Sequence, residues 1–339
     1  MERNSKMSVI FVLTHTNDDC AEMVLNHFKK MGVDYLRFNT EEFQKIVRCS
    51  IKITSNGSFS GVWHFPDRNL YFEEIGVIWN RRVHDPEIKD EFSDPELLNL
   101  AREESKWTLN IAFTLINAPV MNPWEINERL KFNKWIQMKR ATELGLEIPY
   151  SCLTNNLDSI KLFWEQTNQD MILKKIRKGL LTMKDGKRFL IHTSKIPPES
   201  FTEENLHRMR FCPMFLQKHI PKKYDVRSIV IGENVFSVAI HSQDIPEGIT
   251  DYRTAGVLGK LDQMKHERIF LGNDIDSKLI SFVKSFGLHF SAFDLVITPD
   301  ERIIFLEDNP NGQWAWLEQM TGTPISMAFA EYIANNSKR

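Results

Sequence analysis

The 339 residues carry 43 basic and 45 acidic side chains, a formal net charge of −2, and 42% of them are hydrophobic. That is enough apolar material for two or three packed units, and the near balance of charge, with no block of five or six like charges, argues against nucleic acid or a membrane surface as a partner. Cys20, Cys49, Cys152 and Cys212 are scattered without a C-x-x-C pair, which argues against a disulfide framework or zinc knuckle and fits a reducing cytoplasm; the apolar run Val9 to Leu13 is too short for a signal core or a membrane span.

Residues 8–14 form a continuous apolar run that predicts a buried strand. A helical pattern follows from Asp18 to Met31, with Gly32 as its stop, and then a second strand, Tyr35 to Phe38. The loop between the first strand and the helix, His15-Thr16-Asn17-Asp18-Asp19, has no glycine, so the dinucleotide fingerprint is absent. Two short strands around Asn56-Gly57, a strand Ile75 to Trp79 and a long helix Pro95 to Ile116 complete an N-terminal α/β unit. Arg81-Arg82 follow a strand's carboxyl end, where arginines either grip an anion or lie in a solvated loop.

The prolines and asparagines between Asn117 and Pro123 mark a boundary. Three units result: an N-terminal α/β unit over 1–122, a central unit with a lid over 123–212, and a C-terminal unit over 213–339. The central unit opens with one helix, Glu125 to Leu144, stopped by Gly145. Next comes a strand, Met171 to Ile176, and a small lid from about Gly179 to Lys187. The C-terminal unit contains a strand pair folded at Gly232 to Asn234, a long loop to Gly256, a helix capped near Asp274 and stopped by Gly287, a hairpin and two final helices.

The hairpin Phe290 to Ile297 and Arg302 to Asn309 is the most informative segment. If Thr298 faces Glu301, Asp294 faces Phe305, and Glu307 is its diagonal neighbour on the same face, about 7–8 Å away; Asn309 shares that face. Two carboxylates and an amide suit Mg²⁺, which takes a few hard oxygen ligands and leaves the rest to phosphates and water. Two bare carboxylates within ~4 Å repel by about 4 kcal/mol at an effective dielectric of 20, so they need a cation, a proton, or room to splay into solvent.

Lys134 shares a helix face with Leu130, Met138 and Ala141, and Lys174 shares a strand face with Ile172 and Ile176. Both point inward, where an ammonium either finds an anion such as polyphosphate or snorkels to the edge. In Tyr224 to Ile229, Asp225 and Arg227 share a face, and folding at Gly232 to Asn234 sets Arg227 near Ala239 and His241; the arginine and histidine either hold phosphoryl oxygens, or Asp225 and Arg227 form a surface pair.

In their order and spacing, Lys134, Lys174, a glycine-containing lid, the Asp-Val-Arg strand, Asp294 and Glu307-x-Asn309 resemble the ATP-grasp superfamily. Trp79-Asn80-Arg81-Arg82 and Gly312-Gln313-Trp314 sharpen the likeness to the maturases that macrocyclise ribosomally made peptides, the microviridin-type or graspetide ligases. The resemblance implies an α/β fold, α+β toward the C-terminus, with a Rossmann-like pre-ATP-grasp domain, a lid and a C-terminal antiparallel sheet. It implies ATP and Mg²⁺ as cofactors, with the metal on Asp294, Glu307 and Asn309. Phosphate would lie on Lys134 and Lys174, the acyl phosphate on Arg227, the adenine on the backbone of Gln217-Lys218-His219-Ile220, and the ribose near Asp225. Asp251-Tyr252-Arg253 resembles an Asp-Trp-Arg element, which makes Arg253 a grip for the acceptor peptide's carboxylate. The implied partner is a ribosomal precursor peptide, a homodimer being open by analogy. Two rivals share the fold: a ligase joining separate molecules, and a non-catalytic peptide-binding module.

Overall fold

The chain's computed structural model describes residues 8–88, 92–177, 180–190 and 193–337. β1 (Val9–Thr14) is buried along its whole length, as a strand covered on both faces must be. α1 (Asp19–Met31) starts where the Asp18 side chain accepts the Ala21 N–H and stops at Gly32, left-handed at φ +67. β2 (Tyr35–Asn39), β6 (Ile75–Asn80) and β7 (Val120–Met121) join β1 in a parallel sheet of order β2-β1-β6-β7. Between β2 and β6, the strands β3 (Arg48–Ile53), β4 (Phe59–His64) and β5 (Asn69–Tyr71) form an antiparallel sheet whose third strand the sequence pattern had not indicated. α2 (Pro95–Leu115) begins at an Asp94 cap and a first-turn proline.

The expected single helix after Pro123 is two: α3 (Trp124–Lys131) and α4 (Lys134–Glu143), separated where Asn133 caps α4 through the Ile136 N–H. An asparagine able to satisfy a free N–H competes with a continuous helix, and the break puts Lys134 at the first position of α4. β8 (Ser151–Thr154), α5 (Leu157–Gln166) and β9 (Met171–Lys174) follow; β9 ends at Lys174, short of the expected Ile176, which is exposed. β10 (Leu180–Thr182) and β11 (Arg188–Leu190) pair around a turn with Gly186 at φ +81, while Gly179, the expected start of the lid, lies outside the described residues. β12 (Ser194–Lys195), α6 (Glu203–Met209) and β13 (Met214–Lys218) complete a sheet of order β12-β9-β13-β8.

The last sheet, of order β16-β15-β14-β17-β18, is antiparallel. It comprises β14 (Tyr224–Ile231), β15 (Asn234–Ile240), β16 (His266–Ile269), β17 (Phe290–Ile297) and β18 (Ile303–Asn309). The expected long loop before Gly256 contains α7 (Tyr252–Val257), capped by the Asp251 side chain on the Arg253 N–H. α8 (Asn273–Ser285), α9 (Ala315–Thr321) and α10 (Ile325–Asn335) cover the sheet. One buried cluster joins β1 and α1 to β14, β17 and α10 through residues such as Ile10, Val24, Ile229, Trp314 and Phe329; another packs α4 and α8 on the other side through Leu130, Met138, Leu279, Phe282 and Phe305.

Candidate active site

The final hairpin aligns its acids more directly than expected. Thr298 faces Arg302 rather than Glu301, because Glu301 takes a left-handed φ of +62 and the turn uses one more residue. A bulge between Asp294 and Leu295 then leaves Leu306 unpaired, so Asp294 stands directly opposite Glu307 instead of diagonal to it, and Leu295 faces Phe305. On the other side Asp294 pairs with Arg227. Arg227, Asp294 and Glu307 therefore form one row across β14, β17 and β18.

The row is strongly interlocked. Arg227 Nη1 donates to Asp294 Oδ1 at 2.7 Å, and the Tyr252 hydroxyl donates to the same oxygen at 3.3 Å. Arg253 reaches down from α7 with Nη1 2.5 Å from Glu307 Oε1 and 3.5 Å from Asp294 Oδ2, and it also holds Asp251 at 2.8 Å. Lys134 Nζ lies 2.5 Å from Glu307 Oε2. Lys174, at the end of β9, is buried in the same field. Two facing carboxylates are thus held together by cations, which is the alternative to protonation or splaying.

The electrostatics follow. Burial alone would raise the Glu307 carboxyl, yet Lys134, Arg253 and Lys174 hold it well below the usual range. Burial raises Asp294 despite the pull of Arg227 and Arg253, with Glu307 adding to the rise. Lys174 is pushed down to about 8 by burial and by Lys134. Burial also pushes Asp308 up to about 7; its side chain turns to the opposite face, where Ser291 donates to Oδ1 while Oδ2 finds no partner among the described residues.

The other expected residues are distributed less simply. Asn309 lies one step further along the Glu307 face but is exposed, and its Oδ1 accepts the Asn311 N–H. The hairpin at Gly232 is a two-residue turn, so Arg227 faces Val238 rather than Ala239. That one-residue difference sends His241 to the opposite face, beside the Tyr224 ring and bonded to Glu267 at 2.7 Å, and corrects the expected Arg227–His241 pair. Asp225 is buried against Lys222 at 2.6 Å. In the expected adenine segment, Lys218 and His219 already donate their backbone N–H groups to Tyr150 and Asp170, so those two donors are not free to read a base. Gln217 is buried with its amide on Ser151, and Ile220 follows at the strand end.

The supporting residues carry little signal in the residue pattern. Asn122 locks the ends of the hairpin: it donates to Phe290 O and Pro310 O, both at 2.7 Å, and accepts from the N–H groups of His289 and Phe290. Gln137 bonds both backbone groups of Asp308. Arg81 is not solvated. It is 1% exposed, ion-paired to Asp18 at 3.3 Å, and donates to Asn311 Oδ1 and Gln313 Oε1, both at 2.8 Å, which fastens the parallel sheet to the segment after β18. Gly312 fits between Arg227 and Ala292, where any side chain would collide with both.

This arrangement has close counterparts. Residues 9–128 match the family model of the MvdD pre-ATP-grasp domain. An ATP-grasp ligase from Chryseobacterium gregarium, associated with ribosomally synthesised peptides and solved with ADP and leader and core peptides, is 27% identical, with 98% of each chain covered and a TM-score of 0.88. The chain is an ATP-grasp ligase, similar over nearly its whole length to ligases that act on ribosomally made peptides. The macrocyclases MdnC, bound to precursor peptide MdnA, and MdnB, both from Microcystis aeruginosa MRC, are 26% and 28% identical to the ligase. Each comparison covers 96% of this chain and 99% of the other, with TM-scores of 0.80 and 0.75. No curated protein matches the ligase. Among the described residues none of its helices is long and apolar enough to cross a membrane.

Proposed function

We propose that the ligase uses ATP and Mg²⁺ to phosphorylate Glu or Asp side chains of a ribosomal precursor peptide and closes them onto Thr, Ser or Lys side chains of the same peptide. The observation that carries this reading is the single buried field in which Lys134, Lys174, Arg227 and Arg253 surround the facing carboxylates of Asp294 and Glu307.

The donor set fits a divalent cation. Among the described residues no three His, Cys, Asp or Glu side chains converge as a full protein cage, and Mg²⁺ does not need one: one or two carboxylates suffice when phosphates supply other ligands. Asp294 and Glu307 would hold it, with Asn309 beside them; when bound it would neutralise charge on the transferring phosphoryl group. Lys134 and Lys174 bring ammonium groups to the phosphates, and Arg227, fixed by Asp294, presents its guanidinium to the acyl phosphate. A peptide carboxylate oxygen attacks the γ-phosphorus and ADP leaves. A hydroxyl or amine then attacks the acyl carbon, loses its proton and expels phosphate, giving an ester or amide. The β10–β11 hairpin is the lid that keeps water from the acyl phosphate.

Arg253 is the residue with freedom to change partners, since its side chain is 48% exposed whereas that of Arg227 is 7% exposed. It neutralises Asp294 and Glu307 in the free protein, and in this reading it passes to the peptide carboxylate once those acids are otherwise satisfied. Mass spectrometry of the precursor peptide after incubation with ATP and Mg²⁺ tests the whole reading: each internal link removes the mass of one water. An unchanged peptide, or one heavier by a second substrate, overturns it. Asp294→Ala and Glu307→Ala are expected to abolish the reaction while the protein stays folded.

A further inference from the structure

The parallel sheet ends in a cluster that this reaction does not use. From β1 the chain passes to β2 on one side, while β6 lies on the other, so a crevice opens between the carboxyl ends of β1 and β6. In open parallel sheets such a switch point is where ligands bind. His15 is the first residue after β1, and Arg81 and Arg82 are the first two after β6. Arg81 turns into the core to pair with Asp18. Arg82 is left over: half-buried, its side chain makes neither an ion pair nor a hydrogen bond with the described residues.

The rings of His15 and His84 stack beside it, 4.3 Å apart and within 5° of parallel. Their backbones are fixed, because Arg37 donates to His15 O at 2.7 Å and Thr40 Oγ1 accepts the His84 N–H at 2.8 Å. Of the nearby acids, Asp18 holds Arg81 and Thr14, and Glu41 accepts both the N–H and the hydroxyl of Thr16 through Oε1, while its Oε2 finds no partner among the described residues. Burial depresses both His15 and Arg82; His84 and Arg82 push His15 further down and Arg81 does so for Arg82, against the opposite pull of Asp18 on both and of Glu41 on His15.

We propose that Arg82, flanked by the His15–His84 stack, is a second carboxylate-binding subsite for the acidic peptide substrate. Arg81 next to it holds Asn311 and Gln313, and that segment leads back to Asn309 and touches Arg227, so the loop that carries Arg82 adjoins the segment packed on the reacting centre. A substrate with several acidic side chains presents one to the phosphoryl donor and needs the others held elsewhere. A half-buried guanidinium with no partner among the described residues is suited to take one as a two-pronged hydrogen-bonded pair.

The inference rests on the peptide-ligase reading, and direct binding separates the two. A fluorescein-labelled synthetic peptide of alternating Thr and Glu, and its Thr/Gln counterpart, are titrated against the full chain by fluorescence anisotropy, with a fluorescent ADP analogue alongside. The wild type is expected to prefer the Glu peptide by at least about tenfold, and Arg82→Ala to shrink that preference about fivefold with unchanged ADP binding. Arg82→Lys, which keeps the charge without the fork, restores part of it. No preference in the wild type overturns the acidic-peptide reading and the subsite with it. A full preference retained in Arg82→Ala overturns the subsite alone, as does a loss confined to the nucleotide, which would assign Arg82 to phosphate.

Discussion

Gly312→Ala tests the packing that fixes Arg227. A Cβ at this position would lie 2.2 Å from Arg227 Nη2, 3.3 Å from its Cζ and 2.5 Å from the Ala292 Cβ. Ala292 belongs to β17 and faces Ile229 and Asn309 on the neighbouring strands, so it cannot retreat. Arg227 is 6% exposed and bonded to Asp294 at 2.7 Å, so it yields only by weakening that pair. Overpacking of this kind costs about 1–3 kcal/mol, and losing a charge-assisted hydrogen bond adds about 1.5–3 kcal/mol. A total of roughly 3–5 kcal/mol corresponds to a fall of about 6–20 °C in the melting temperature of the unit containing the sheet. The assay is thermal unfolding followed by near-ultraviolet circular dichroism, with ATP turnover measured on the same sample. Gly186→Ala is the control, because nothing lies within 4 Å of its Cβ position and only the left-handed backbone, at φ +81, is penalised, by about 1 kcal/mol. Ala292→Gly combined with Gly312→Ala removes one collision and is expected to recover part of the loss. A Gly312→Ala protein that melts and turns over like the wild type would refute the reasoning.

Arg81→Ala leaves the Asp18 carboxylate buried without its cation and frees Asn311 and Gln313, so a destabilisation of about 3–5 kcal/mol is expected in denaturant titrations; a change under 1 kcal/mol would mean the pair is dispensable. Lys174, pushed down to about 8, is largely neutral in the free protein at higher pH and must take up a proton to meet a phosphate. Nucleotide affinity is therefore predicted to fall as the pH rises above about 8 in calorimetric titrations, and Lys174→Arg to flatten the dependence; a flat wild-type profile contradicts the placement of Lys174 on the phosphates. Burial raises the Cys49 thiol to about 12 and raises Cys152 as well, while Cys20 is buried and donates to Gln313 and Cys212 is exposed. A maleimide at pH 7 should label one thiol quickly, at Cys212 by peptide mapping, and rapid labelling of Cys49 would show that its environment opens.

The two hairpins of the C-terminal sheet show how far a residue pattern can carry a site. On β17 and β18 the expected pairing missed the extra turn residue at Glu301 and the bulge at Leu306, yet the two slips of one residue add to two. Side chains alternate with period two, so Asp294 and Glu307 kept their shared face and moved closer. On β14 and β15 there is one slip only, and it moved His241 to the other face. The acids were legible because the result depends on parity, and the histidine was not because a single residue reverses it. Lys134 and Lys174 were legible as inward-facing through Leu130, Met138 and Ile172, although the break at Asn133 and the end of β9 at Lys174 were not.

What the pattern could not reveal is which basic group answers which acid, because those contacts join distant parts of the chain. Arg81 pairs with Asp18 and holds Gln313, and Arg253 spans Asp251, Glu307 and Asp294. The same long-range contacts explain why the facing acids can exist at all in the free protein. At an effective dielectric of 20 their mutual repulsion of about 4 kcal/mol at ~4 Å is matched by any single cation at a similar distance, and the structure supplies three, Arg227, Arg253 and Lys134. Two of these cations, Lys134 on α4 and the half-exposed Arg253 on α7, lie outside the sheet, and their side chains can turn toward another anion while the strands that carry the acids stay in place. The cost of assembling the acids is therefore met before any ligand arrives, and the cations that met it are then available to the phosphate and the peptide carboxylate.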